Sequence, residues 1–340
     1  MTQVDDRSVF RDKAATVHDV ARVAGVSAQT VSRLLKGYEG IRPKTREKVE
    51  AAIAQLEYRP NHIARLLRTR KSTRIGVVVH EMFAYGPARL LRGAAARARE
   101  AGYSLNIIGV DGEDERSVRD AFETFEEEQV AGIMAITLTD SVRSVVDNRT
   151  SEVPILVDPA EAGVNGPSFN ELGARLVAQH FLELGHRRVG IVLGPENWLP
   201  ARQRRDGFER TIEGAGAEFV ILGEGDWSPT AGARAADFFN VGDGITAVFA
   251  ANDAMAMGFM RRLADRGISV PGTVSVAGFD GVPEGEFFTP SLTTVQADYE
   301  WQGQAAVDAL LGEISGTPFE RDQRLHVDLV RRQSTRSAIR

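Results

Sequence analysis

The stretch TVHDVARVAGVSAQTVSRLLK, residues 16–36, predicts two short helices around a tight turn. Thr16 is a good helix N-cap, and Asp19 three residues later suits the first turn of a helix. Gly25 ends this helix, because glycine readily takes the left-handed backbone conformation that the turn requires. Ser27 then caps the second helix.

Each of the two predicted helices has one apolar and one polar face. Apolar residues recur at helical spacing, Val17, Val20, Ala21 and Ala24 in the first helix and Val31, Leu34 and Leu35 in the second. The second helix leaves small or hydrogen-bonding residues pointing outward, namely Ala28, Gln29, Ser32, Arg33 and Lys36. A short helix with such a face fits the major groove of DNA, although an ordinary helical hairpin remains the alternative from pattern alone.

The distribution of charge supports a nucleic-acid partner for the first part of the chain. The whole chain has a formal net charge of −6 over 340 residues. Residues 7–74 contain 16 Lys and Arg against 6 Asp and Glu, a net of +10, whereas residues 75–340 contain 25 against 39, a net of −14. A basic head on an acidic body indicates that only the head meets a polyanion.

Two further basic segments follow. A third helix is predicted over residues 44–56, and the basic residues at its start oppose the helix dipole, so phosphate is their natural partner. Residues 61–69 form a helix-prone segment of about two turns, too short to be stable alone. It is either a basic linker or a hinge helix that orders on DNA and inserts apolar side chains into the minor groove.

From residue 75 onward buried-type strands alternate with helices, which predicts an α/β body of two doubly wound parallel sheets. Strands are expected at 75–79, 103–110, 132–137, 154–158, 187–194, 218–227, 246–253, 273–280 and 290–295. Such a body has two lobes with a cleft at the carboxyl ends of the strands. The predicted organisation is a head at 1–58, a hinge at 59–71, a first lobe at 72–168 and 297–322, and a second lobe at 169–296 and 323–340.

Composition and motifs exclude several classes of protein. The chain has no cysteine, and neither a signal peptide nor a membrane-spanning run is recognisable, so a cytoplasmic protein with no membrane association is expected. A periplasmic sugar-binding protein would have a signal peptide and no basic head. The six histidines lack metal-ligand spacing, and no G-x-S-x-G or phosphate-binding loop occurs, so neither an enzyme nor a metal or cofactor site is expected. A glycosidase-like carboxylate pair stays open, although Asp158 and Asp280 are better explained as hydroxyl acceptors.

Segments spread over nearly the whole chain resemble one family. The segments at 16–37, 42–67, 184–195, 251–258, 275–280 and 290–295 resemble the LacI-type family of bacterial transcriptional regulators. The resemblance implies a helix-turn-helix head, a hinge helix, a body like periplasmic sugar-binding proteins, and a homodimer on near-palindromic, double-stranded operator DNA. The tail at 336–340 is too short for a leucine-heptad helix, so no oligomer larger than a dimer is expected.

The resemblance also implies which residues contact DNA. Ala28, Gln29 and Arg33 occupy base-reading positions, and Arg33 can donate two hydrogen bonds to a guanine. Positions that contact the DNA backbone or cap helices are occupied by Ser27, Thr30, Ser32, Thr45 and Asn61. Ala64 and Leu67 match hinge residues that wedge into the minor groove. Lys36 departs from the asparagine usual at its position, which puts the contact at that end of the helix in doubt.

Segments 80–90, 200–208 and 224–228 resemble the lactose-responsive branch of the family rather than its purine-binding members. The effector site implied by this resemblance contains Asp158, Arg204, Trp227, Asn252, Asp280 and Tyr299, with Phe83 and Trp198 at its rim. Charged and amide groups bind adjacent sugar hydroxyls in pairs, and aromatic rings cover the apolar face of a sugar. The alternatives are core packing for the tryptophans, an N-cap role for Asn252 and an exposed charge for Arg204.

The expected function is therefore a dimeric repressor of sugar-utilisation genes. A small sugar, a galactoside or related glycoside, would bind in the cleft and release the operator. The alternative within the same family is a regulator whose effector is not a sugar, or is a corepressor that strengthens DNA binding.

Overall fold

The computed structural model describes residues 15–35, 38, 40–56, 58, 72–136, 139–157, 167–317 and 327–338. The chain divides into two compact units, Met1–Lys71 and Ser72–Arg340. Several predicted positions fall outside the described residues: the hinge at 59–71, Lys36, Asn61, Ala64 and Leu67 in the head and hinge, and Asp158 in the body.

The described residues of the head form three helices, α1 (Val17–Ala24), α2 (Ala28–Leu35) and α3 (Pro43–Gln55). The Thr16 hydroxyl and the Asp19 carboxylate cap each other's backbone N–H groups at the start of α1, and Gly25 ends it at φ 66°. The core of the head consists of Val20, Ala21, Ala24, Val31, Leu34, Val49 and Ala52.

One detail of the predicted apolar face of α2 was wrong. Leu35 is 39% exposed, whereas Val31 and Leu34 are buried. Leu35 lies on the same side of α2 as Val31, four residues earlier, but it is the last residue of the helix and remains partly exposed there.

The body contains two sheets with helices on their faces. Its elements in chain order are β1 (Arg74–Val79), α4 (Tyr85–Glu100), β2 (Ser104–Gly109), α5 (Glu115–Glu127), β3 (Gly132–Ile136), α6 (Asp140–Asp147), β4 (Ile155–Val157), α7 (Phe169–Glu183), β5 (Arg188–Leu193), α8 (Leu199–Gly214), β6 (Glu218–Glu224), α9 (Pro229–Phe238), β7 (Ala247–Ala250), α10 (Asp253–Asp265), β8 (Ser275–Asp280), α11 (Glu284–Phe287), β9 (Thr293–Ala297), α12 (Tyr299–Ser315) and β10 (Val327–Val330).

The strand orders are those of doubly wound sheets. The small sheet has the order β2-β1-β3-β4, and the large sheet has the order β10-β9-β8-β7-β5-β6. All neighbouring strands are parallel except β9 and β10, so the purely parallel second sheet of the prediction needs this correction. The strand β10 follows the return of the chain from α12, which allows antiparallel pairing at the sheet edge. The predicted α/β fold class is otherwise confirmed.

Two lobes are built on these sheets. The first lobe is the small sheet with α4, α5, α6 and α12, and the second lobe is the large sheet with α7 to α10. Helices α4 and α12 pack so closely that a Cβ on Gly93 would overlap the Glu300 carbonyl oxygen, and one on Gly303 would overlap that of Leu90. This contact fixes the first turn of α12 against α4. No helix in the described part of the chain is long and apolar enough to cross a membrane.

Candidate nucleic-acid interface and ligand cavity

The outward face of α2 carries the residues predicted to read bases. Ser27 caps the helix, because its Oγ accepts a hydrogen bond from the Thr30 backbone N–H at 3.1 Å. Gln29 and Arg33 are exposed, and Ala28, Thr30 and Ser32 are half-buried. The Arg33 guanidinium lies 5.7 Å from the centroid of the Tyr38 ring. The structure therefore leaves amide, hydroxyl and guanidinium groups of one short helix open to a partner.

The start of α3 offers a second basic surface. Arg42 at the N-cap makes no side-chain capping bond, the first turn contains no acidic residue, and Pro43 occupies its first position. Lys44 is exposed and Thr45 is half-buried. The positive end of the helix dipole and the basic side chains at this helix start suit an anion such as a DNA phosphate.

The body contains a partly open cavity of about 240 Å³, bordered by both lobes. It lies beyond the carboxyl ends of the strands, because Ile136 ends β3, Asp280 ends β8 and Asn252 follows β7. Doubly wound sheets bind ligands at this end. Among the predicted effector residues, those that line the cavity are Trp198, Arg204, Trp227, Asn252, Asp280 and Tyr299.

Arg204 is the centre of a hydrogen-bonded network, and it is only 6% exposed. Its Nε donates to Asn170 Oδ1 at 2.9 Å and its Nη1 donates to the Ala251 carbonyl at 2.6 Å. Its Nη1 also lies 3.3 Å from Asp280 Oδ1, and its Nη2 donates to the Tyr299 hydroxyl at 3.3 Å. The reading of Arg204 as an exposed charge is therefore wrong.

Asp280 and Tyr299 complete this network. The Tyr299 hydroxyl donates to Asp280 Oδ1 at 2.7 Å. Burial raises the pKa of Asp280, while Arg204 opposes the rise. Burial and the neighbouring Asp280 raise the pKa of Tyr299 well above its usual value. Asp280 also has φ 115°, a backbone conformation that non-glycine residues rarely hold outside functional sites.

A second buried carboxyl group supports this end of the cavity. Asp253 is fully buried, and its carboxyl oxygens accept hydrogen bonds from the Thr294 hydroxyl at 2.5 Å and the Val282 backbone N–H at 2.8 Å. Burial, and then the charge of Asp280, raises the pKa of Asp253 to about 8. A raised pKa at this position lowers the negative charge that Asp253 carries beside Asp280 at neutral pH.

Two tryptophan rings, those of Trp198 and Trp227, lie side by side in the lining of the cavity. Trp198 is 6% exposed, and its ring lies 5.6 Å from that of Trp227. The Arg204 guanidinium lies 5.4 Å from the Trp227 centroid. The Trp227 Nε1 is buried and has no hydrogen-bond partner among the residues described. An N–H donor in this position favours a ligand with an acceptor oxygen.

Asn252 combines the two roles that the sequence left open. Its Oδ1 caps α10 by accepting from the Met255 backbone N–H at 2.8 Å, and its Nδ2 donates to the Trp227 carbonyl at 3.0 Å. It also lines the cavity. Its orientation is therefore fixed by the protein before any ligand arrives.

The predicted set of effector residues and the lining of the cavity differ. Phe83 is 92% exposed and does not line it. Asn170 and Gln302 do line it and were missed. Each stands in the first turn of a helix, α7 or α12, on the face that is buried. A polar residue on an otherwise apolar helix face was the signal available in the sequence.

Two segments of the chain match models of known protein families. Residues 16–61 match the model of bacterial regulatory proteins of the lacI family, and residues 178–335 match a periplasmic binding protein-like domain. The lactose operon repressor of Escherichia coli K12 is 34% identical over 95% of this chain and 91% of its own length. The ribose operon repressor of the same strain is 31% identical over 92% of this chain and 97% of its length.

A solved structure shows the same fold over nearly the whole chain. The lac repressor dimer bound to operator and the anti-inducer ONPF superposes with a TM-score of 0.85 and 33% identity. The match covers 95% of this chain and all of the solved chain.

Proposed function

Since this chain belongs to the lacI family of bacterial regulatory proteins, we propose that it is a dimeric repressor that a small sugar releases from its operator. The sugar is a galactoside or a related glycoside, bound in the cavity between the lobes. The observation that carries this proposal is the buried cluster of Arg204, Asp280 and Tyr299, which lines a cavity bordered by both lobes.

The chemistry of the cluster suits a polyhydroxylated ligand. A guanidinium, a carboxyl group and a carboxamide offer donors and acceptors in pairs, which adjacent hydroxyls match. The rings of Trp198 and Trp227 offer apolar surface for the C–H groups of a pyranose. The protein groups are already bonded to one another, so little ordering is required when a sugar binds.

The link between the sugar and the operator is a coupling of two binding equilibria. A ligand that contacts both lobes favours one arrangement of the lobes over others. If that arrangement is the weaker one for operator binding, the operator must weaken sugar binding by the same factor, typically about 5- to 150-fold.

The DNA-binding half of the proposal is tested on a duplex selected from a randomised pool. Arg33→Ala should cost about 1–3 kcal/mol on the selected duplex, with a relaxed base preference at one position and little change on random DNA. The matched control is Arg22→Ala, which removes an exposed arginine from α1. Equal losses of affinity for selected and random DNA would show that Arg33 contacts only phosphate.

The effector half is tested by a melting-temperature screen against mono- and disaccharides and simple glycosides. A sugar present at one hundred times its Kd should add about 2.7 kcal/mol to the stability of the folded state. The same sugar should then weaken binding to the selected duplex. Tighter binding would assign a corepressor, and no melting shift with any sugar would refute a sugar effector.

A further inference from the structure

Apart from Tyr299, which begins α12 and bonds to Arg204 and Asp280 of the second lobe, the cavity wall contributed by the first lobe is apolar except for two side chains. Its residues are Ala84, Tyr85, Gly86, Pro87, Leu90, Ile136 and Gln302, which we call the first-lobe wall. The Tyr85 hydroxyl already donates to the Gly281 carbonyl at 3.4 Å and accepts from Arg89. Gln302 is different, because it is only 3% exposed and its Oε1 has no hydrogen-bond partner among the described residues.

The backbone that carries Gln302 is held firmly. Asp298 caps α12 by accepting from the Trp301 backbone N–H at 2.9 Å, and Glu300 accepts from Arg89 on α4 at 2.6 Å. Gly303, the next residue, lies directly against the Leu90 carbonyl. The helix cannot move away to expose the carboxamide to water, so a partner for the carboxamide must come to it.

A buried carboxamide without a partner is unfavourable, and it discriminates strongly between ligands. A ligand hydroxyl beside Gln302 can both donate and accept, and rotation of the amide adapts to either arrangement. An alkyl or aryl group in the same place would leave the amide unpaired in apolar surroundings. Sites built around a hydrogen bond reject analogues that lack it more strongly than apolar pockets reject extra methylene groups.

We propose that Gln302 sets the specificity of the cavity for the part of the effector beyond the first sugar ring. This inference rests on the proposed sugar-binding function and makes it narrower. Arg204 and Asp280 hold the first ring, and Gln302 bonds to a hydroxyl on the second part. The effector is then a disaccharide or a polyol glycoside, and alkyl and aryl glycosides are poor ligands.

A pair of glycosides that differ only in the aglycone separates the alternatives. Glyceryl and propyl glycosides, each prepared as the galactoside and the glucoside, have aglycones of the same carbon number and differ in the aglycone hydroxyls. Calorimetric titration of the full chain should show that the glyceryl form binds about tenfold more tightly than the propyl form. Gln302→Met keeps the side-chain length but removes its hydrogen-bonding groups, so this preference should disappear or reverse.

Controls make the result specific to Gln302. Gln304→Met makes the same change at an exposed position of α12 and should keep the tenfold preference. Gln302→Leu provides a second apolar variant should the methionine variant fold poorly. If both Gln302 variants still bind the glyceryl form about tenfold more tightly than the propyl form, Gln302 does not determine this specificity. The proposed sugar-binding function would then still stand. Failure of every glycoside to bind the unsubstituted chain overturns the proposed sugar effector, and this assignment with it.

Discussion

The two walls of the cavity differ in whether their buried polar side chains have hydrogen-bond partners within the protein. In the second lobe, Arg204 is bonded to Asn170 and Ala251 and lies within 3.3 Å of Asp280, and it also donates to Tyr299 at the start of α12. In the first lobe, Gln302 lies among apolar residues, and its Oε1 has no partner among the residues described.

This difference follows from the cost of burying each group. An ionised side chain cannot be buried unless its charge is compensated, so Arg204 requires partners from several elements at once. Burial of a neutral carboxamide costs less free energy, so the carboxamide can stay without a hydrogen-bond partner until a ligand binds. The second-lobe residues Arg204 and Asp280 therefore stabilise the fold as well as forming a binding surface. The first-lobe wall contributes less to stability, so its residues can determine specificity.

The largest expected difference between the two walls appears when the charge of Arg204 is removed. Arg204→Met should lower the free energy of unfolding of the body by about 3–5 kcal/mol, because Asp280 loses its buried partner. Gln302→Met, in contrast, should leave it unchanged or raise it, because an unpaired amide is removed. Denaturant unfolding of both variants measures the difference, and equal effects would show that the two walls do not differ in this way.

The same variant separates the body from the head. Arg204→Met should abolish the response of operator binding to sugar while affinity for the operator without sugar is retained, because the head is a separate compact unit. An unchanged dependence on sugar concentration would remove Arg204 from the binding site.

An effect of intermediate size is expected in the pH dependence of the free energy of unfolding, through Asp253. Its pKa in the folded state is about 8, against about 4 for an unfolded chain, so the folded state binds the proton more tightly. The contribution of Asp253 to stability is therefore fully present below about pH 4 and is lost as the pH rises towards 8.

Asp253→Asn imitates the protonated side chain, so it should flatten the fall in unfolding free energy between pH 5 and 8. The slope contributed by one such group is at most about 1.4 kcal/mol per pH unit. Urea unfolding at several pH values measures it. A variant with the same slope as the parent chain would assign the pH dependence to other groups.

The smallest effect is expected where the lobes touch at the surface. Arg202 on α8 lies 2.7 Å from Asp140 on α6, and both side chains are substantially exposed. Arg202→Ala should change stability by no more than about 1 kcal/mol. Because this pair joins the two lobes, the variant should still change sugar affinity, by up to about fivefold.

The control is Arg205→Ala, which breaks an ion pair of 3.2 Å with Glu209 inside α8. It should leave sugar affinity unchanged, because both partners lie on one helix. Equal changes in the two variants would show that the contact between the lobes has no particular influence on ligand binding.

The sequence by itself determined the features that depend on local interactions. Thr16, Asp19, Gly25 and Ser27 act within a few residues of their own position, so the head was predictable down to its caps. The alternation of apolar strands with helices likewise determined the α/β class. Family motifs singled out Arg204 and the five other predicted residues that line one cavity.

Tertiary structure alone decided how these residues are used. Asn170, Ala251 and Tyr299 meet Arg204 because α7, α8, α12 and β7 converge, and no local pattern encodes a contact across 34 to 95 residues. The raised pKa of Asp253 depends on its burial and on the charge of Asp280, and both arise only when the large sheet is complete. The unpartnered amide of Gln302 results from the close packing of α4 on α12, and packing is a property of surfaces that come together only in the folded chain.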